Sequence, residues 1–359
     1  MRYLITILLT ISVLFAETKH LISPDGTTVI IDRDEYGVPH VKADNESALF
    51  FGQGFAEAND RLYQIDLNRR AARGRLSEWF GSLALDIDKD VIRTGYTDEE
   101  LDQMYANGLP EVQTAIVAYV EGINAYVDTM NLHPELYMPV QYLDIDFDPY
   151  TVRDASAFAI FMLRRFGMFG GDELTRLTEL QNNGWDWFNE NRPVNDPSCS
   201  TTLPDTSSGN AQAWHYSGMT VPEEVVLEMN ARKEYVEQFR KENGIIYKLG
   251  SFAALVAPGF STSGNVMLLG CPQMGSPSYD TASLTMEIEL ECPTYHVGGK
   301  AVAGSPFVTL GHNEHIAWGI TLAYTDVEDI FVEKLDVSNP TKYEYCGNSQ
   351  EFNVIEEII

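Results

Sequence analysis

Gly250-Ser251-Phe-Ala-Ala-Leu-Val-Ala257 is the stretch on which the reading of this chain turns. Its apolar run predicts a strand headed by Ser251. A serine there matters if the Gly250–Ser251 bond is cleaved. One residue then carries both a nucleophilic hydroxyl and a general base, its own freed α-amine. The unperturbed pKa of such an amine lies near 8, so a useful share of it is neutral and basic at working pH. Taken alone, a Gly-Ser dipeptide reads equally well as a turn. Downstream stand Pro272-Gln273-Met274-Gly275, then Gly311-His-Asn-Glu-His-Ile-Ala-Trp-Gly319, and then the acidic run Asp326-Val-Glu-Asp-Ile-Phe331.

Upstream, the first quarter of the chain holds Ile31-Asp-Arg-Asp-Glu-Tyr-Gly-Val-Pro-His40. Phe51-Gly-Gln-Gly-Phe-Ala-Glu-Ala-Asn-Asp-Arg-Leu-Tyr-Gln-Ile65 follows, with Arg69-Arg70 and Gly74-Arg-Leu-Ser-Glu78 after it. This ordered series resembles the penicillin acylase family of N-terminal-nucleophile amidohydrolases. In that family the light subunit opens with an RD-x-x-G-V-P-H segment, a glycine-rich helix ending in DR-L-x-Q, and a GRLSE run. The resemblance covers most of residues 29–100 and 250–335. It implies an α+β fold, the αββα four-layer sandwich with a helical light-subunit region, incomplete in this chain. It also implies hydrolysis of an amide through an acyl-enzyme on Ser251.

Composition sets bounds on this reading. The 359 residues suffice for one large domain or two ordinary ones, and 44% hydrophobic and 11% aromatic content is that of a core-forming protein. With 24 basic against 53 acidic side chains the formal charge is −29. That balance argues against nucleic acid or an anionic membrane surface as partner. Arg2, the apolar run Leu4–Phe15 and Ala16 before Glu17-Thr-Lys-His20 have the layout of a secretory signal peptide over residues 1–16. The run is too short to span a bilayer, so the mature protein is expected to be secreted or periplasmic, without a membrane anchor. Cys199, Cys271, Cys292 and Cys346 make no zinc spacing, and their three possible pairings stay open.

Along the chain, Thr28–Asp32 reads as a strand ended by the Gly37-Val-Pro turn. Glu46–Arg70, Val112–Met130, Ala155–Gly167 and Pro222–Glu242 read as helices, and the small residues around Gly52 and Gly54 suit close helix packing. Residues 193–222 are rich in Pro, Ser, Thr, Asp and Asn, as a loop or spacer would be. From Ser251 onward the pattern changes to strands at Ala253–Val256, Asn265–Leu269, Ser283–Leu290, Phe307–Leu310 and Ile330–Leu335. The organisation expected is a signal peptide (1–16), a light-subunit region (17–200), a spacer (201–250) and the start of a heavy subunit (251–359). Family heavy subunits continue well beyond this length, and Asn353-Val-Ile-Glu-Glu-Ile-Ile359 is itself strand-like. The sequence is therefore expected to be an N-terminal part of a precursor whose light and heavy chains form a heterodimer.

The resemblance assigns roles residue by residue. Gly250 and Ser251 form the autoproteolytic site and Ser251 is the catalytic nucleophile. Gln273 occupies a position held by Gln or His in relatives, where a neutral amide orients the amine and hydroxyl. The backbone N–H of Leu322 is an oxyanion donor, and the second family donor, an Asn side chain, would lie beyond residue 359. Phe166, Met274, Leu310 and Ile320 fall at acyl-pocket positions, all apolar, which favours an apolar acyl group. Glu173, Asp326, Glu328 and Asp329 match a calcium site, with oxygen donors suited to that hard cation. Each of these has a plainer reading, as core residue, surface amide or acidic loop. His40 and His312 belong to the motifs and read as structural, and neither is assigned as a base. Two features depart from the family pattern: Phe252 and Ala254 stand where it has Asn and Trp, and Cys271 where it has Asn or Asp. The substrates the resemblance allows include aryl-acetamide and β-lactam side chains, N-acyl-homoserine lactones and lipid amides. A non-catalytic secreted homologue acting as a binding protein is the alternative from a different class.

Overall fold

Two tight turns fold the first described residues into an antiparallel meander of Lys19–Ile22 (β1), Thr28–Arg33 (β2) and Pro39–Ala43 (β3). The second turn is fixed by Asp34, whose Oδ1 accepts the N–H groups of Tyr36 and Val38 at 2.9 Å each, and by Gly37 at φ +80°. The computed structural model describes residues 18–139, 142, 147–166, 173–192, 222–242, 251–272, 285–321 and 333–356. Contacts divide the chain into two units, residues 1–162 with 240–322 and residues 163–239 with 323–358.

In the first unit the meander leads into Glu46–Arg73 (α1). Asn45 caps its start by accepting the Ala48 N–H, and Gly74 ends it in the left-handed region at φ +66°. Ser77–Phe80 (α2), Leu85–Thr94 (α3), Asp98–Ala106 (α4), Pro110–Leu132 (α5), Pro134–Tyr137 (α6) and Val152–Phe166 (α7) follow. The expected helices thus appear, while α2 to α4 add helical structure that the sequence pattern left unassigned. The start of α4 carries a full capping box between Thr97 and Glu100.

Ser251–Val256 (β4) and Met267–Pro272 (β5) form a two-stranded hairpin. Thr285–Cys292 (β6), Tyr295–Val302 (β7), Leu310–His312 (β8) and Ala317–Trp318 (β9) join the first meander in a seven-stranded sheet of order β1-β2-β3-β6-β7-β8-β9. All its pairs are antiparallel except β3 with β6, which run parallel with Val41 opposite Leu290. One face buries Val29, Ile31, Val41, Ile288, Leu290 and Val297 with Phe50, Phe51, Phe55, Ile65, Tyr119 and Ile123 from α1 and α5. The other face of β6 alternates out as Glu287, Glu289 and Glu291, the period-2 signature of a half-covered strand. This mixture of helices and sheet is the α+β class the sequence led us to expect.

The two long helices meet backbone to backbone. A methyl added at Gly54 would lie 2.0 Å from the Tyr119 carbonyl oxygen, and one at Gly122 would lie 2.0 Å from that of Phe51. A methyl at Gly52 would strike Val29 and Val41 at 2.5 Å, so α1 also lies flush on the sheet. The small residues in this helix therefore serve close packing, as their pattern indicated.

The upstream motifs turn out to be ties, part-buried at Arg33 and buried at Arg69 and Asp88. Arg33 makes a two-pronged ion pair with Asp60 at 2.8 and 2.9 Å and also donates to the Gly37 carbonyl at 2.8 Å. Arg69 lies over Phe147 at 4.5 Å and donates to buried Asp66 at 2.6 Å, which also accepts from Tyr142 at 3.1 Å. Asp88, fully buried, accepts the N–H groups of Leu76 at 2.8 Å and Ser77 at 2.6 Å, and so seats the Gly74–Glu78 run.

The second unit contains Glu173–Asn191 (α8) and Glu223–Glu242 (α9), with Val226 packed against Leu177 and Met229. It also holds a small antiparallel sheet of Lys334–Asp336 (β10), Asn339–Tyr345 (β11) and Asn348–Glu351 (β12). Residues 353–356 form no strand, although their sequence is strand-like. The strand expected at Phe307–Leu310 instead runs Leu310–His312, because Phe307 sits at φ +80°, outside the extended region.

Candidate active site

Ser251 is the first residue of β4, and its register partner is Pro272, the last residue of β5. The described part of β5 ends there, at the residue before Gln273 in the sequence. Thr321 brings a third segment to the same place: its hydroxyl donates to the Ser251 carbonyl at 3.0 Å. The next residue in the chain is Leu322, the expected oxyanion donor. Ser251 itself is half-buried.

The hairpin packs against the end of the seven-stranded sheet. A methyl added at Gly319 would lie 3.7 Å from the Ala253 side chain, and one at Gly270 would lie 3.9 Å from Leu310. Leu310 is buried at 5% exposure, whereas Ile320 is 47% exposed. Leu310 thus lies buried beside β5, and Ile320 is exposed. Trp318 ties this strand back by donating its indole N–H to the Thr309 carbonyl at 3.1 Å.

Gly250, Gln273, Met274, Leu322, Asp326, Glu328 and Asp329 lie outside the described residues, as do the side chains of Phe166 and Glu173. Phe166 is the last residue of α7 and Glu173 the first of α8. Among the described residues no group of three or more His, Cys, Asp or Glu has the geometry of a metal site. Of the residues that depart from the family pattern, Phe252 is 49% exposed and pairs with Cys271 across the hairpin.

His40 has the structural role expected of it. Its Nδ1 stands 2.8 Å from Glu289, and its Nε2 is 3.6 Å from Asp34. His312 stands across from Gly298 in the ladder. Two features near the site were not assigned from the sequence. One is the Thr321 hydroxyl, adjacent to a position whose N–H was the only atom considered. The other is Glu57, fully buried in α1, where burial pushes its carboxyl up to about 8. The signal for Glu57 was present: it is the one charged residue among the buried positions 48–58 of that helix.

A sequence profile described as penicillin amidase matches residues 28–359. The chain is 28% identical to penicillin G acylase of Escherichia coli over 377 aligned residues, covering 94% of this chain and 44% of that protein. It is 27% identical to the penicillin acylase 2 proenzyme of Pseudomonas sp. (strain SE83), over 85% of this chain and 38% of the relative. It is 26% identical to acyl-homoserine lactone acylase QuiP of Pseudomonas aeruginosa, over 86% of this chain and 34% of the relative. A solved thermostable penicillin G acylase from Alcaligenes faecalis is 28% identical, aligns with 50% of this chain and 99% of its own, and has a TM-score of 0.43. The chain spans less than half the length of these curated relatives.

Proposed function

The chain belongs to the penicillin amidase family, and from that premise we propose that it hydrolyses an amide between an apolar acyl group and an amine, with Ser251 as nucleophile. The observation that carries the proposal is the meeting of three segments at one residue: β4 begins at Ser251, β5 ends opposite it at Pro272, and Thr321 bonds its carbonyl. Maturation begins when the Ser251 hydroxyl attacks the Gly250 carbonyl carbon. The acyl group moves from nitrogen to oxygen, and water then cleaves the ester to free the α-amine of Ser251. In turnover that amine takes the hydroxyl proton, the hydroxyl oxygen adds to the substrate carbonyl, and the leaving amine takes the proton as the C–N bond breaks. Water, deprotonated by the same α-amine, then cleaves the ester to release the acid and restore the Ser251 hydroxyl. Gln273 orients the two groups, and the Leu322 N–H stabilises the oxyanion. The protein is exported and works as two chains of one precursor. N-terminal sequencing of the expressed protein tests this directly. A chain beginning Ser-Phe-Ala-Ala is the expected result, and any other start removes Ser251 from its role.

The acyl group is the part of the substrate on which the described residues bear most. Leu310 is buried and uncharged, and one further buried methylene is worth about 0.8 kcal/mol, or about fourfold in selectivity. Across amides of one chromogenic amine, kcat/KM is expected to climb with acyl hydrophobicity until the pocket is full. A glutaryl amide is expected to be poor, since its second carboxylate would be desolvated without a partner. Preference for glutaryl over phenylacetyl or medium-chain acyl groups would overturn the apolar-pocket reading. The relatives named as acyl-homoserine lactone acylases make N-acyl-homoserine lactones the second substrate class, and the same panel extended to them separates the two.

We further propose that Glu173, Asp326, Glu328 and Asp329 hold calcium, a cation that would neutralise a local excess of carboxylates. A chelator is then expected to lower the melting temperature of the wild type and to leave Asp326→Ala almost unmoved. An unchanged wild-type melt would return these residues to an acidic loop.

A further inference from the structure

Glu57 takes no part in the chemistry proposed above, yet it is completely buried and sits at the centre of a polar network. Its Oε2 accepts from the Tyr119 hydroxyl at 2.5 Å, and its Oε1 accepts from the Gln53 amide at 2.8 Å. Both partners reach on to one loop, residues 303–309 between β7 and β8. Tyr119 Oη accepts the Gly304 N–H at 2.9 Å, and Gln53 Oε1 accepts the Phe307 N–H at 3.2 Å. Tyr150 adds a bond from its hydroxyl to the Gly304 carbonyl at 3.1 Å. Both held residues have a positive φ, Gly304 at +105° and Phe307 at +80°, and at Phe307 that conformation is strained. A non-glycine residue rarely adopts such a backbone, and does so where its surroundings over-determine it.

The loop in turn sets the candidate site. Its last residue, Thr309, accepts the Trp318 indole N–H at 3.1 Å, and β8 begins at Leu310, the buried residue beside β5. Three residues beyond Trp318 is Thr321, which bonds the Ser251 carbonyl. A continuous series of contacts therefore runs from Glu57 through the loop to both Leu310 and Ser251.

We propose that Glu57 is a positioning residue. Through Gln53 and Tyr119 its carboxyl holds loop 303–309 in its strained form, and so fixes the place of Leu310 and of the Trp318–Thr321 segment relative to Ser251. The inference rests on the reading of Ser251 as nucleophile and adds the device that aligns Leu310 with it. The groups that act on Glu57 are Tyr119 from α5, Tyr150 from the segment before α7, the Gly304 backbone of the loop, and Asp60 on its own helix. None of these is cationic, and the hydrogen bonds from Tyr119 and Gln53 offset only part of the cost of burying a charge. Burial raises the Glu57 pKa to about 8, so the carboxyl is mostly neutral at pH 7 in the closed loop. If opening exposes it, the carboxyl returns to its ordinary range. The hold on the loop is then full below that range, weakens as pH rises through it toward about 8, and levels off above.

The test uses the full chain as wild type, Glu57→Gln and Glu57→Leu, with hydrogen exchange of the Gly304 and Phe307 amides followed from about pH 5 to about pH 9. After correction for intrinsic exchange, wild-type protection should fall at least tenfold between about pH 5 and about pH 8 and level off above. Glu57→Gln, neutral at every pH and close in shape, should hold its protection flat. In parallel, the ratio of wild-type to Glu57→Gln kcat for an apolar chromogenic amide should fall over the same pH range, since the α-amine of Ser251 titrates alike in both. The same pH dependence in wild type and Glu57→Gln would overturn the proposal. So would a loss of protection in that range spread equally over Ile288 and Val297 in the sheet, which would mark general loosening. Glu57→Leu should lose loop protection at all pH values, and if it fails to fold, Glu57→Gln carries the test alone. Were Ser251→Ala to remain active, the nucleophile reading would fall, while the exchange measurement would still decide for or against Glu57.

Discussion

Ser251→Ala is expected to yield a single uncut chain with kcat about a millionfold below that of the processed protein, the loss seen when a serine hydrolase is deprived of its nucleophile. A methyl group has no lone pair with which to attack the Gly250 carbonyl, so neither the acyl shift nor an acyl-enzyme can form. The local structure has little reason to change. Two of the contacts that seat Ser251 are made by its backbone, in the pairing with Pro272 and in the carbonyl that accepts from Thr321, and alanine keeps both. The variant should therefore melt like an uncut precursor and differ only in chemistry. Gel electrophoresis and intact mass give the answer. A variant that is still cut between 250 and 251 removes Ser251 from the mechanism.

Gly122→Ala should be among the most damaging single methyl groups in the first unit. The new Cβ would lie 2.0 Å from the Phe51 carbonyl oxygen and 2.9 Å from the Phe55 nitrogen. Both are backbone atoms of α1, so no flexible side chain can move aside and the two helices must separate. Overpacking ordinarily costs about 1–3 kcal/mol, and a rigid backbone contact belongs at or above the top of that range. For a domain of this size about 3 kcal/mol lowers the melting temperature by roughly 6–12 °C. Gly54→Ala meets the Tyr119 carbonyl at the same distance and should act alike. The double variant should lose less than the sum, because either methyl already forces the helices apart. A Gly122→Ala protein that melts within about a degree of wild type would show that these helices do not touch.

The parts of the fold that were legible are those whose signals are local. The helix Glu46–Arg73 shows its run of apolar and small residues, and β6 shows its alternation. Strand β7 was missed because Gly298-Gly299-Lys300 interrupts any alternation, and Gly299 itself is required by the close Leu310 and Gly311 backbone. The shift of β8 by a few residues follows from the Phe307 backbone, which is held by Gln53 from α1, a partner far away in sequence. The parallel join of β3 to β6 leaves no trace in either strand, since a ladder partner is not encoded by its neighbours in the chain. At the candidate site Ser251 heads a strand, as its sequence led us to expect. Thr321 and Glu57 were not legible, because their roles come from where the chain crosses itself.

That join between β3 and β6 bears on how the protein comes apart. Val41 and Leu290 lie on opposite sides of the proposed cut, as do the ion-paired Lys42 and Glu291 at 2.6 Å. Before cleavage the ladder is closed within one molecule, and its melting midpoint is independent of protein concentration. After cleavage the same hydrogen bonds are shared by two molecules, and unfolding becomes a dissociation governed by mass action. Dilution alone would then loosen the mature protein and leave the Ser251→Ala precursor unmoved. Recovery from denaturant would likewise pass from a first-order event to an encounter between strangers.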